Sequence, residues 1–195
     1  MRAPIQPGRF SLRGPLLSER LRLRAYGAGD VPFLLDMRSR PDVMRWLYED
    51  VQDEAAIQAL VARRMRQTAL VAPGDAVQTI VETRDGVPVG EAMLAWDVSP
   101  HLQGEIGYII HPAYQRRGYA VEASAVLLRI GFLVVGLHRI VGRLEARNRP
   151  SARVLEKLHM RREAELRENE WIKEEWQSEI VYALLDREWA ALAQP

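Results

Sequence analysis

The run Gln115-Arg116-Arg117-Gly118-Tyr119-Ala120 is the stretch of this chain best suited to chemistry. The residues before it, Glu105 to His111, read as a strand, and Tyr119 begins a helix. Gly118 and the small Ala120 let backbone N–H groups come close to a ligand, at the positive end of a helix dipole. That is the pattern of an anion site for a phosphate or pyrophosphate, and Arg116 and Arg117 add charge if either turns inward. A helix entry that uses glycine for backbone reasons alone is the competing reading. Neither common phosphate loop fits: there is no Gly-x-x-x-x-Gly-Lys-Ser/Thr and no Gly-x-Gly-x-x-Gly after the first strand. This argues against a nucleotide hydrolase and against a dinucleotide-binding dehydrogenase.

The elements that must hold this loop follow from periodicity. Leu21-Arg22-Leu23-Arg24-Ala25-Tyr26 alternates as a half-buried strand does. Asp30 is placed to cap a helix through Met37, Asp42 to Tyr48 forms a short turn after Pro41, and Asp53 caps a longer helix. Ile57, Leu60, Val61 and Met65 mark the apolar face of that helix, and Arg63, Arg64 and Arg66 read as its solvated face. Val77–Glu82 and Val87–Trp96 flank Arg84-Asp85-Gly86, a hairpin turn. A long helix runs from Tyr119 to Val135, with Gly136 as its stop and Leu137 as the apolar contact of a Schellman ending. Arg139–Leu144 is a strand, and Pro150–Leu158 is a helix with proline in its first turn. Two more strands, Arg162–Arg167 and Ser178–Leu185, are joined by a Trp- and Glu-rich stretch. The order predicts a single α/β domain with a mixed, mostly antiparallel central sheet of six to seven strands flanked by helices. The expected boundaries are a loosely ordered arm over 1–16, the domain over 17–190 and a short tail over 191–195.

Composition narrows the chemistry further. The chain has 195 residues, 48% hydrophobic and 27% charged, the balance of an ordinary globular domain. It has no cysteine, so disulfides, Cys-ligated zinc, Fe–S clusters and a thiol nucleophile are all excluded. A net charge of +1 argues against an electrostatically driven nucleic-acid binder. No segment approaches the roughly 18–20 apolar residues that cross a bilayer, and the start lacks a secretory signal, so cytoplasmic location is the expectation. The four histidines show no metal-ligand spacing, and no metal is expected. Trp46, Trp96, Trp171 and Trp176 could line an acceptor pocket or simply pack. Between Glu163 and Glu179 seven glutamates face Arg167 and Lys173, an acidic rim for a cationic amine or a solvated hairpin.

The loop, with its preceding strand and His-Pro, resembles the signature Gln/Arg-x-x-Gly-x-Gly/Ala of the GNAT superfamily of N-acetyltransferases. Further motifs resemble the Rim-type branch, which acetylates N-termini of ribosomal proteins. They are Ser18–Arg24, Gly136-Leu137-His138-Arg139-Ile140, Asn148-Arg149-Pro150-Ser151, Val154–Leu158 and Glu179–Leu185. The resemblance spans Leu17 to Trp189 and implies a direct transfer from acetyl-CoA to a primary amine. It implies that Gln115, Arg116, Arg117, Gly118, Tyr119 and Ala120 hold the pyrophosphate, that Ile109, Ile110 and His111 pair with the pantetheine arm, and that Asn148 bonds it. It also implies Glu105 as the base, a backbone amide near Ile110 as oxyanion donor, and Ser151 beside the sulfur as the acid. Leu155 stands where many relatives have a catalytic Tyr, and His159-Met160 stands where Gly-Phe is usual. Read on their own, Glu105 could be a solvated strand-end carboxylate and Ser151 a helix-capping hydroxyl. The expected acceptor is a protein N-terminal α-amine, with a small amine or aminoglycoside as the alternative. A non-catalytic acyl-CoA-binding module is the rival from another class, and a homodimer is what the family makes plausible.

Overall fold

The computed structural model describes residues 7–99 and 101–192. Residues 1–6 of the expected arm and 193–195 of the expected tail lie outside the described residues. Two short strands, β1 (Phe10–Ser11) and β2 (Leu16–Leu17), precede β3 (Leu21–Arg24). Helices α1 (Val31–Arg38), α2 (Pro41–Met44) and α3 (Glu54–Arg64) follow, then β4 (Ala69–Leu70), β5 (Ala76–Thr83), β6 (Pro88–Trp96) and β7 (Gln103–Ile110). The second half holds α4 (Tyr119–Arg129), β8 (Arg139–Glu145), α5 (Arg149–Lys157), β9 (Arg161–Ile172), β10 (Glu175–Leu185) and α6 (Asp186–Leu192).

The central sheet has eight strands in the order β2-β3-β5-β6-β7-β8-β10-β9. All neighbours are antiparallel except β7 and β8. The strand beyond the expected number is β2, which pairs Leu16 and Leu17 with Leu23 and Arg22. Within the segment expected to be a loose arm, β1 also pairs with β4, and the Gly8 N–H reaches the Val135 carbonyl at 2.9 Å.

Alternation decides what faces each layer. Even-numbered Ile106 of β7 and Ile140 and Leu144 of β8 join the core under α4 and α5, where Leu127, Leu128 and Leu155 are buried. Odd-numbered Ile109 faces a second core, built from Leu34 and Met37 of α1, Ile57, Leu60 and Val61 of α3, and Ile80 of β5. The domain is therefore a sheet between two helical layers.

Local chemistry explains the ends of the elements. Asp53 caps α3 as expected, its Oδ1 accepting from the Ala56 N–H at 2.8 Å. Asp30 does not cap α1 with its side chain; it accepts from the Gly27 N–H and pairs with Arg24 at 2.7 Å. A bidentate guanidinium partner outcompetes the helix N–H groups for that carboxylate. The α4 helix runs on through a π-helical segment over Ile130–Val135, and Gly136 stops it at φ +77°. The Leu137 N–H then reaches the Gly131 carbonyl at 2.9 Å, one residue further back than the long bond of a Schellman ending, because the segment before Gly136 is π-helical. The Trp- and Glu-rich stretch is the tip of one long hairpin, β9–β10, turned by Lys173 and Glu174 at positive φ.

Candidate active site

β7 and β8 are paired only through Gln103, Gly104 and Glu105 with Arg139, Ile140 and Val141. Beyond Glu105 the two strands separate, so among the described residues Ile106 to Ile110 have no strand partner on that edge. The His111 N–H donates to the Val89 carbonyl on the β6 side at 3.0 Å. Strand alternation then turns the N–H groups of Ile110 and Tyr108 to the open edge, and those of Ile109 and His111 toward β6. Of the three residues expected to pair with an added chain, Ile110 alone presents its backbone there. Gln115 reaches the same edge, its Nε2 donating to the Ile110 carbonyl at 3.0 Å.

The loop after β7 is built around two left-handed residues, Arg116 at φ +63° and Gly118 at φ +83°. Among the described residues the N–H groups of Arg116, Arg117 and Gly118 make no hydrogen bond. Those of Tyr119 and Ala120 fall in the first turn of α4, where no intrahelical acceptor exists. This row of exposed donors at a helix N-terminus is suited to an anion, and its residues fit a pyrophosphate. Neither Arg116 nor Arg117 forms an ion pair among the described residues, although the Arg117 guanidinium reaches the Ala113 carbonyl and lies over the Tyr114 ring. Arg20 braces the loop from below: it pairs with Glu122, donates to the Arg117 carbonyl at 3.0 Å and lies over the Tyr119 ring. His111 fixes the loop's other end. Its Nδ1 accepts from the Ala113 N–H, and its Nε2 lies 3.0 Å from Asp36 on α1.

Glu105 sits at the fork itself, half-buried. Burial raises its pKa, the Arg143 guanidinium pulls it back, and Glu179 and Asp97 push it up again; the net shift is upward. Arg143 Nε is 3.5 Å from Glu105, while its Nη1 bonds the buried Glu179 at 2.9 Å. A carboxylate with a raised pKa, held loosely by one shared cation, is suited to accept a proton.

Ser151 lies in the first turn of α5, next to the open edge of β7. Asn148 caps that helix, its Oδ1 accepting from the Ser151 N–H at 3.2 Å. The Tyr108 hydroxyl lies 2.9 Å from Ser151 Oγ and 3.0 Å from the Ser151 carbonyl. Nothing in the sequence singled out Tyr108; a hydroxyl on an otherwise apolar strand was the available signal. Arg64 was misjudged as solvated. It is largely buried and bonds Tyr26 and Glu91, both at 2.7 Å, because Glu91 on β6 points into the same layer. His159 adopts φ +60°, a left-handed position just past the end of α5. Trp96 is buried packing, whereas Trp171 and Trp176 stack edge-to-face on the exposed hairpin tip. Tyr48, from the segment after α2, bonds Glu170 of that hairpin at 3.0 Å, and Lys173 donates to the Met44 and Leu47 carbonyls. These contacts carry the hairpin tip across to the α2 side.

The family model for the acetyltransferase (GNAT) domain matches residues 20–161. The uncharacterized N-acetyltransferase YnaD of Bacillus subtilis (strain 168) is 31% identical over 174 residues, 89% of this chain and 98% of that protein. A GNAT-family acetyltransferase from Bacillus anthracis superposes with a TM-score of 0.80 at 29% identity, over 90% of this chain and 100% of that one. The spermidine N-acetyltransferase of Vibrio cholerae, solved with CoA and spermine, gives a TM-score of 0.75 at 20% identity, over 89% and 99% of the two chains.

Proposed function

This chain belongs to the GNAT family of N-acetyltransferases, and from that premise we propose that acetyl-CoA is its donor and the α-amine of a protein N-terminus its acceptor. The observation that supports the donor is the row of free N–H groups from Arg116 to Ala120 at the mouth of an open strand edge. The cradle takes the pyrophosphate, and the Tyr108 backbone pairs with the pantetheine arm. Asn148 has its Oδ1 engaged in capping, which leaves its amide NH2 for that arm.

The chemistry follows from the fork. Glu105, through a water, takes one proton from the substrate ammonium. The free amine attacks the thioester carbon, and the Ile110 N–H receives the negative charge that develops on the carbonyl oxygen. The C–S bond breaks as the Ser151 hydroxyl gives its proton to sulfur, and Ser151 recovers a proton from the acylated nitrogen. One proton thus leaves through Glu105, one ends on the thiol and one stays on the amide. The absence of cysteine agrees with direct transfer, since no thiol can carry the acetyl group between donor and acceptor.

For the acceptor, the motifs from Ser18 to Leu185 support the Rim-type reading. A small polyamine is the second reading, supported by the glutamate-rich β9–β10 hairpin and by the spermine in the structure from Vibrio cholerae. An acetylation screen of peptides with varied N-termini, polyamines and aminoglycosides, read by mass spectrometry, decides between them. Acetylation of α-amines only is the expected result, and acetylation of polyamines only overturns the first reading.

A further inference from the structure

Ser151 is held at three atoms. Its N–H is bonded by Asn148, and both its carbonyl and its hydroxyl lie within hydrogen-bond reach of the same phenol, that of Tyr108. Tyr108 is on the open-edge strand, its ring packed into the core beneath α4 and α5. That packing gives the hydroxyl little freedom to swing away. Two hydrogen-bond arrangements fit the distances. In one, Tyr108 donates to the Ser151 carbonyl and the Ser151 hydrogen is directed back at the phenol oxygen. In the other, Tyr108 donates to Ser151 Oγ, and the Ser151 hydrogen is free to point into the cleft. Only the second lets Ser151 act as a donor to a leaving group, and the helix already supplies the Ser151 carbonyl with the N–H four residues on.

We propose that Tyr108 is a positioning residue for Ser151: its phenol donates to the Ser151 hydroxyl oxygen and so aims the Ser151 hydrogen at the departing sulfur. The inference rests on Ser151 being the acid. Burial raises the Tyr108 pKa, which keeps the phenol protonated and able to donate throughout the neutral range.

Tyr108→Phe, Ser151→Ala and the double variant provide the test, with the peptide acetylated fastest in the screen above as acceptor. Free CoA is read continuously with a thiol reagent, which meets no protein thiol in this chain. Tyr108→Phe keeps the ring and its packing, and a melting curve checks that the fold is intact. We expect Tyr108→Phe to lower kcat about tenfold, the scale of one hydrogen bond, with KM for acetyl-CoA within about twofold. The double variant should be no slower than Ser151→Ala alone. Multiplying losses in the double variant overturn the inference, because Tyr108 would then act independently of Ser151. An unchanged kcat in Tyr108→Phe overturns it as well. Full activity in Ser151→Ala instead removes the acid assignment itself, and the inference with it. A rise in KM with kcat unchanged would make Tyr108 part of the donor-binding edge only.

Discussion

Arg143 Nε lies 3.5 Å from Glu105 Oε2, too far for a good hydrogen bond, while its Nη1 holds Glu179 at 2.9 Å. The guanidinium is thus committed to the buried carboxylate and only leans on the one at the fork. Burial raises the Glu105 pKa, and a cation held this loosely does not bring it back down. Removing the cation as Arg143→Gln should raise the Glu105 pKa further. Since the base works deprotonated, the acid limb of kcat/KM should move to higher pH in this variant. An acid limb that stays in place would mean that a different group sets it.

Glu105→Gln preserves shape and removes the carboxylate proposed as the base. A positioned base contributes roughly 10²–10⁴ in rate, so kcat should fall at least 100-fold. Acetyl-CoA affinity should hold within about twofold, because Glu105 lies at the fork and not at the cradle. Calorimetry and steady-state kinetics on the same preparation separate the two. Full turnover in Glu105→Gln would leave Glu105 as a strand-end carboxylate.

Gly118 sits at φ +83° within the loop proposed to bind the donor. At φ +83° an alanine costs about 1–2 kcal/mol, and its Cβ would also stand 3.3 Å from Arg20 Nη2. Relaxing that strain rotates the N–H groups of the cradle. Loss of one charge-assisted bond is worth about 1.5–3 kcal/mol, so Gly118→Ala should weaken acetyl-CoA binding tenfold or more while kcat at saturation changes little. The stabilisation that acetyl-CoA gives in a melting experiment should shrink in parallel.

Much of this site was legible because its parts are local. The cradle is six consecutive residues, and its demands on φ are written in Gly118. The Asn148–Ser151 cap is likewise a contact across three residues. Contacts formed across the sheet were not legible. Tyr108 meets Ser151 over 43 residues of chain, and Glu91 draws in Arg64 over 27, distances at which periodicity carries no information. Arg64 sits beside Arg63 on a helix whose amphipathic pattern is weak, and only the carboxylate on β6 decides that it turns inward. The strand pairs at the start of the chain were missed for a related reason: two-residue strands such as Leu16–Leu17 leave no alternation to read.

That buried carboxylate yields the last prediction. Glu91 on β6 receives Arg38 from α1, Arg64 from α3 and the Tyr26 hydroxyl, and it pairs in register with Ile109 beside the open edge. Burial pushes its pKa up, but Arg64 and Arg38 overcome this and hold it below the ordinary 4.5. A folded-state pKa that is depressed contributes stability above the unfolded value, and that contribution disappears as pH falls through the folded one. Glu91→Gln leaves two guanidiniums buried without a counter-charge, at a cost of about 3–5 kcal/mol. For a domain of this size the melting point should drop by about 10 °C at pH 7. The gap between wild type and variant should then narrow as pH falls below 4.5, because the wild type loses the same charge. Arg161→Ala, which removes the exposed pair with Glu188, should leave the melting point unchanged at either pH. A gap of constant size across that range would show that Glu91 contributes through packing and hydrogen-bond shape, with its charge playing no part.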